Sequence, residues 1–509
     1  MVSATHDDGV LLIYTGGTIG AVHADPRDPL SPLAPGGLDR ILESLPGYWP
    51  RDEEIALGGK RVRVGAVSLD QPVDSSEIEA KHWRELARLI EGHYDDYEGF
   101  VVLHGTDTMA YTSSCLAFML ENLAKPVIVT GSQLPIGEPR SDAAQNLVTA
   151  IEFAAARTLG HPVVPEVAVL FHNKLFRGCR VRKVSTGDFA GFDSPNLLPL
   201  GQAGGRIQVD RAVVRRPPEG PTRLAVSRDP NMDILSLDLF PGIEPAVLRT
   251  LFDTPHLKGV VLKTFGAGNA PTTRAFLDAI EYGVREKGLL MVNVTQCFRG
   301  EVEQGRYQVS AGLLAAGVIG GLDMTPEAAL TKMGVVLGQG LKGRDAADRM
   351  QLDLRGEQRA GIYNIHFRPV GAATDGDWPP LVLRGRVPLV LAQDGDVFQG
   401  PVPYRERRLD RAFLRLLGIE TTDGRRGRLD CKVYLDEPDA KEATAEDIPT
   451  YLGTVSKRFT TDTDNVILDI TRQARRLIDL GHKLTLTLVP LGDSDLTIRS
   501  AHIALMTRD

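Results

Sequence analysis

Val10–Gly20, VLLIYTGGTIG, constrains this chain more than any other stretch. Five apolar residues run into Gly16 and Gly17, and Thr18 stands just past them. A short apolar run stopped by glycine reads as a buried strand ending in a sharp turn. Glycine there admits backbone conformations that a side chain forbids and lets a neighbouring group come close. Thr18 then falls at the carboxyl end of a central strand, where open α/β sheets place their chemistry. That makes it a candidate nucleophile; the competing reading is a strand-to-loop turn with a buried hydroxyl. A nucleotide loop is excluded, because no lysine-serine or lysine-threonine pair follows the glycines. Gly16, Gly17 and Gly20 also lack the spacing of a dinucleotide fingerprint.

Strands and helices alternate after this opening. Ala21–Gly37 has the proline-, aspartate- and glycine-rich composition of a long loop, and both a lid and an inert surface loop fit it. Leu38–Leu45 reads as a short helix and Lys60–Ser68 as a strand. The strand leads to Asp74-Ser75-Ser76-Glu77, which reads as a cap before the amphipathic Glu77–Ile90. Phe100–Leu103 is a second buried strand, followed at once by His104-Gly105-Thr106-Asp107-Thr108. The helix after it sets Met109, Leu116, Leu120 and Leu123 on one face. Thr106, Asp107 and Thr108 therefore sit where free amides and the positive end of a helix dipole gather. A plain N-cap needs one such residue rather than a cluster. Lys125–Gly131 reads as a strand, Ser141–Ala155 as a helix and Glu166–Phe171 as a strand running towards the basic segment Arg177–Asp188. Lys183 lies in that segment, where a solvated surface charge is the ordinary reading of a lysine.

Between Gly201 and Arg223 the pattern lapses into glycine, proline and arginine, as an interdomain linker would. A smaller α/β unit follows, with strands at Met232–Leu237, Gly259–Thr264 and Leu289–Thr295 and helices at Ala246–Phe252, Thr272–Lys287 and Ala311–Ala316. Gly266-Ala267-Gly268-Asn269-Ala270-Pro271 mimics a dinucleotide loop, but Pro271 occupies the third glycine position and rules it out. Helical periodicity continues to about Gly356. Ala372–Pro380 reads as a second linker, and β-rich runs follow at Leu381–Arg384, Leu389–Ala392, Leu429–Leu435, Val466–Ile470, Leu484–Pro490 and Leu496–Leu505. Their alternation points to a β-sandwich of about 120 residues. No internal repeat or low-complexity segment stands out.

A chain of 509 residues suggests roughly three domains. Its 24% charged and 42% hydrophobic residues are ordinary for a globular protein. A net charge of −8 is mild, so neither nucleic acid nor an anionic membrane surface is an expected partner. MVSATHDDGV does not read as a secretory leader, and no apolar run approaches the roughly 20 residues that span a bilayer. Cys115, Cys179, Cys297 and Cys431 lie far apart with no CxxC pair, which fits free thiols in a reducing, cytoplasmic setting. The 11 histidines show no helical ligand pairs, so no metal is expected.

With these elements in place, a family resemblance emerges. TGGTIG at Thr15–Gly20 and LHGTDTMAYT at Leu103–Thr112 match the two signature motifs of the asparaginase family. VDSSE at Val73–Glu77, TGSQLP at Thr130–Pro135, SDAAQNL at Ser141–Leu147 and GNAP at Gly268–Pro271 extend the match. NVTQCFRG at Asn293–Gly300 and GGLDMTPEAALTKM at Gly320–Met333 resemble its cytoplasmic type I branch, and coverage runs over about residues 9–360. The resemblance implies a larger N-terminal catalytic α/β domain (1–205), a linker (206–224) and a smaller C-terminal α/β domain (225–365). A second linker (366–380) and the β-sandwich appendage (381–509) complete the expected architecture.

The resemblance also implies a reaction: hydrolysis of L-asparagine to L-aspartate and ammonia through an acyl-enzyme on Thr18. Threonine is a weak nucleophile and needs a base or relay. By family analogy Thr106, Asp107 and Lys183 form it. Asp107 also takes the substrate α-ammonium, and Ser75, in the loop with Asp74, Ser76 and nearby amides such as Gly105, takes the α-carboxylate. No metal or organic cofactor is implied, and the protein is expected to be a homodimer or homotetramer.

Two features depart from the family pattern. Ala21–Pro46 contains no tyrosine, where family members carry one that assists the nucleophile; Tyr14 precedes the turn, and His23 is the loop's one substitute candidate. At the allosteric asparagine site of some type I enzymes, Cys297 and Asn269 match the lining, but Arg182 and Lys263 stand where threonine and arginine are usual. LDCKVYLDEP (Leu429–Pro438), YLGTVS (Tyr451–Ser456) and LTLTLVPLGDSDLTIRSAHIAL (Leu484–Leu505) resemble the β-sandwich that closes plant-type polyphenol oxidases. A stabilising appendage and a partner-binding domain both fit that part. Two further functions compete with hydrolysis: an ammonia-supplying subunit of a tRNA-dependent amidotransferase, and a non-catalytic amino-acid-amide sensor. The amidotransferase relative carries an extra N-terminal module, whereas the first strand here starts at Val10.

Overall fold

The computed structural model describes residues 8–25, 28, 31, 33–34, 36–220, 222–227, 229–304, 308–370, 380–394, 408–421, 428–458, 464–477, 483–492 and 495–508. In the first domain β1 (Val10–Tyr14) lies between β2 (Lys60–Ser68) and β3 (Gly99–Leu103), both parallel to it. Parallel β4 (Val127–Thr130) and β5 (Val167–Phe171) follow on the β3 side. The spatial order 2-1-3-4-5 is doubly wound, with its topological switch between β1 and β3. Antiparallel strands finish both edges, among them β6 (Lys174–Arg177), Gly201–Ala203 and Ile207–Val209. The last two belong to the first sheet although they fall in or beside the stretch that reads as a linker.

Every residue of β1 and β3 is buried, because helices cover both faces of a parallel sheet. Alternation deals their side chains to two cores. Leu11, Ile13, Phe100 and Val102 meet α1 (Ala80–Gly92) and α2 (Met109–Met119) on one side. Val10, Leu12, Val101 and Leu103 meet α3 (Ala143–Ala154) on the other.

The second domain is a four-stranded parallel sheet of β7 (Ile234–Asp238), β8 (Gly259–Thr264), β9 (Leu290–Thr295) and the short Ile319–Gly320. Its helices include α4 (Pro326–Gly338), capped by the Thr325 side chain at Ala328 N, and α5 (Gly343–Gln351). On α4, Lys332 is fully buried and pairs with the fully buried Glu357 at 2.5 Å. Lys332 also donates to the carbonyls of Met350 and Leu352, and Glu357 accepts from the amides of Leu354 and Arg355. The segment so fixed reaches the first domain, where Arg180 donates to Gly356 O (2.7 Å) and pairs with Asp323 (2.8 Å).

The third domain is one antiparallel sheet. It comprises β10 (Gly361–Pro369), β11 (Leu381–Leu383), β12 (Leu389–Gln393), β13 (Arg408–Thr421), β14 (Arg428–Leu435), β15 (Tyr451–Arg458), β16 (Asp464–Asp469), β17 (Thr485–Pro490) and β18 (Leu496–Arg508). The order is 15-14-17-12-10-18-13-16, with β11 on β18. The sheet wraps a single core, and Lys457 on one edge strand donates to Asn465 O on the other (2.7 Å). The expected sandwich is therefore a sheet folded over itself until its edges meet. It starts earlier than residue 381, because Tyr363, Ile365 and Phe367 of β10 alternate into that core. Residues 371–379, within the expected linker, lie outside the described residues.

Candidate active site

Three loops meet at the carboxyl ends of β1 and β3. Gly16 and Gly17 have φ of 111° and 87°, a region that side chains rarely adopt. A Cβ on Gly17 would lie 2.4 Å from both N and Cα of Gly105, and one on Gly16 would lie 2.2 Å from Val73 O. A Cβ on Gly105 would lie 2.6 Å from Ser75 Oγ. Bare backbone is thus what lets the turns before Thr18 and Thr106 and the Val73–Ser75 loop pack together. Thr15 secures the junction: its N and Oγ1 both donate to Leu103 O at 3.0 Å, and its carbonyl accepts from Val73 N at 2.9 Å. Thr18, half-buried, then opens a single 3-10 turn, Thr18–Gly20.

Across the junction Thr106 is 7% exposed. Lys183 reaches it from a two-residue strand paired with Phe192–Asp193. Its Nζ donates to Thr106 Oγ1 at 2.8 Å and to Asp107 Oδ1 at 2.6 Å. The Lys183 side chain is 19% exposed and the Asp107 carboxylate 64% exposed, so the pair runs from the seat of the site to its mouth. Lys183 is therefore not a solvated surface charge. Ser75 is buried against Gly105, and its carbonyl accepts from Thr108 Oγ1 at 2.6 Å. Asp74 caps only the 3-10 turn Ser75–Glu77, its carboxylate accepting from Ser76 N (2.9 Å) and Ser76 Oγ (2.7 Å), whereas the amphipathic helix expected from Glu77 starts at Ala80 and is capped by Glu79. Those bonds, the amide first, hold the Asp74 carboxyl below its usual range.

A buried chain beneath the site has no counterpart in the sequence reading. Trp83 Nε1 donates to Thr112 Oγ1 (2.9 Å), which lies 2.8 Å from His104 Nε2; His104 Nδ1 lies 2.7 Å from Gly105 O. A carbonyl only accepts, so Nδ1 carries the proton and Nε2 accepts from the Thr112 hydroxyl. Burial pushes the His104 pKa down to about 4, which keeps it neutral. The imidazole fixes the Gly105 carbonyl and with it the peptide plane that leads to Thr106. A histidine directly after an apolar strand was the available signal.

The motif residues outside the reacting set build the seat. Asp142 accepts from the amides of Gln133 and Leu134, and Asn146 Nδ2 donates to Gly131 O at 3.0 Å. A Cβ on Gly131 would lie 2.2 Å from His104 O, and Ile136 N donates to Ile19 O at 3.1 Å. Tyr14 is buried, and its hydroxyl donates to Gly36 O at 3.0 Å, tying down the loop that follows Thr18. Burial also raises its pKa. The side chain of His23 lies outside the described residues.

Two family profiles match this chain. "Asparaginase, N-terminal" covers residues 9–215, and "Glutaminase/Asparaginase C-terminal domain" covers residues 233–350. The chain belongs to the asparaginase family. It is 40% identical over 349 residues to "L-asparaginase 1" of Escherichia coli K12, covering 68% of this chain and 97% of that one. It is 43% identical over 363 residues to "60 kDa lysophospholipase" of Homo sapiens, covering 68% of this chain but only 61% of that relative's length. The structure of L-asparaginase I from Vibrio cholerae matches with a TM-score of 0.60 at 38% identity, covering 69% of this chain and 99% of that one. Both profile matches end by residue 350, ahead of the β-rich third domain.

Within this asparaginase-family frame, no hydrogen bond or ion pair joins the four candidate regulatory residues to one another among the described residues. Arg182 pairs with Glu327 (3.2 Å) and Lys263 with Asp238 (2.5 Å). Asn269 Oδ1 is buried and finds no hydrogen-bond partner. Cys297 is exposed, its amide donating to Thr295 Oγ1 at 3.0 Å. Among the described residues no cluster of three or more histidine, cysteine or acidic side chains is placed to hold a metal ion, and no helix is long and apolar enough to cross a membrane.

Proposed function

We propose that this chain hydrolyses the side-chain amide of L-asparagine, with Thr18 as nucleophile. The observation that carries the reading is Lys183 Nζ on Thr106 Oγ1 and Asp107 Oδ1, across a glycine junction from the Thr18 turn. Thr18 Oγ attacks the carboxamide carbon, and its proton passes through the Thr106–Lys183 relay to the departing nitrogen, which leaves as ammonia. Backbone amides at the two strand ends face the developing oxyanion. Water then attacks the β-aspartyl ester, releasing aspartate and returning the proton to Thr18. Asp107, at the mouth, takes the α-ammonium; Ser75 takes the α-carboxylate, with Asp74, Ser76 and Gly105 shaping that end.

A sensor that binds asparagine without turnover is the second reading, favoured by the tyrosine-free loop 21–46. We infer further a cytoplasmic homodimer or homotetramer, effector binding around Arg182, Lys263, Asn269 and Cys297, and a polyphenol-oxidase-like fold for the third domain. Ammonia release from L-asparagine and L-glutamine tests the leading reading. Release from asparagine that disappears in Thr18→Ala supports it, and saturable asparagine binding with no ammonia supports the sensor.

A further inference from the structure

The third domain docks on the second through the outer face of its sheet. Asp348 on α5 accepts from Asn364 Nδ2 (2.8 Å) and faces His366 Nε2 (3.1 Å). Arg344 pairs with Asp394 at 3.0 Å, and Arg499 pairs with Glu281. Leu322 packs with Ile362, Phe413, Ala504 and Met506 across the junction. Beside that contact the two domains do not close: they leave a cavity of about 300 Å³. Both the position, between domains, and the size are those of small-molecule sites.

The lining is two-sided. Leu314 and Leu322 from the second domain and Phe413 and Ile467 from the third supply apolar walls. Gln304, Arg359, Arg411 and Arg415 supply polar ones. Arg359 is answered by Glu301. Among the described residues Arg415 is not answered: its Nε is buried with no hydrogen-bond partner, and its cross-strand neighbour His502 is buried and held neutral by burial and nearby positive charge. Gln304 gives its amide to Val318 O, which leaves its Oε1 buried and without a partner. A guanidinium whose Nε is buried without a counter-charge carries a desolvation cost that a bound carboxylate would relieve. Against the three arginines the cavity wall holds one carboxylate among the described residues, Glu303.

We propose that this interdomain cavity is a binding site for a small organic carboxylate with an apolar body, its carboxylate on Arg415 and its body between Leu322, Phe413 and Ile467. The site belongs to the junction with the third domain and does not depend on the amide reaction. Two sources share this chemistry: an apolar amino acid, whose ammonium also suits Gln304 Oε1 and Glu303, and a medium-chain fatty acid.

The test is calorimetric titration of the full chain with L-phenylalanine, with octanoate and with acetate. Saturable binding of phenylalanine or octanoate, far tighter than acetate, is the expected result, and which of them binds identifies the source. Arg415→Met should weaken it about ten- to a hundredfold, the loss of one charge-assisted contact, while melting no lower than the parent, because a charge with no partner has gone. Leu322→Trp, which fills the cavity, should abolish it. Failure of the parent chain to bind either probe overturns the proposal, as does unchanged affinity in both variants.

Discussion

Gly17→Ala isolates the junction on which the proposed chemistry rests. The new Cβ would start 2.4 Å from the N and Cα of Gly105, whereas ordinary contact begins at 3.4 Å, so one backbone must retreat by about 1 Å. At φ 87° and ψ 178°, a region essentially reserved for glycine, the alanine also bears a conformational cost of about 1–3 kcal/mol. The strands below are unaffected, since β1 and β3 stay paired from Val10↔Gly99 to Tyr14↔Leu103. The expected outcome is a folded protein, destabilised by about 1–3 kcal/mol. A 1 Å misplacement of reacting groups costs roughly a hundredfold in rate. Ammonia release under saturating asparagine, with denaturant unfolding of the same sample, reads both. A variant that unfolds at the expected midpoint but keeps full kcat would refute the claim that this contact sets the distance between the two threonines.

Three further outcomes follow from the buried groups. Lys332→Met strands the Glu357 carboxylate and should cost about 3–5 kcal/mol, with Glu357→Leu added on top recovering most of it in denaturant melts. Against burial, which raises it, Lys332 and the flanking amides together hold the Glu357 pKa down at about 2, below its ordinary 4.5. Its contribution is therefore complete above that ordinary value and lost as pH falls towards 2, which unfolding midpoints across acid pH will show. His104 has the same sign by a different route. Its pKa of about 4 lies below the ordinary 6.5, so the unfolded chain binds the proton first and stability falls as pH drops from 6.5 to 4. His104→Gln should reduce that loss by about 3 kcal/mol, and His502, also buried and neutral, contributes in the same direction.

The sequence was most informative where local chemistry decides structure. The glycines after β1 and the threonine cluster after β3 announced strand ends, and both lie at the switch point of the sheet. What brings Lys183 to Thr106 is a long-range contact, invisible to spacing. The burial of Lys332 has no local signal either, because its partner Glu357 lies on another segment. In the third domain, β13 escaped detection for a physical reason. Its core positions Leu409, Ala412, Leu414, Leu416 and Ile419 alternate only in the middle, because register shifts stretch the spacing to three at both ends. A bulge adds a residue and so turns a period of two into three. Gly361–Pro369 was missed too, although Tyr363, Ile365 and Phe367 alternate with Asn364 and His366 as a strand's residues should; the two polar ones find Asp348 on the second domain.

The measurement closest to the central claim is to quench the enzyme in acid during turnover of L-asparagine and map the protein by peptide mass spectrometry. A β-aspartyl ester on Thr18, absent from Thr18→Ala and from enzyme without substrate, is what the account predicts. An ester on Thr106 instead, or undiminished ammonia release by Thr18→Ala, would contradict it.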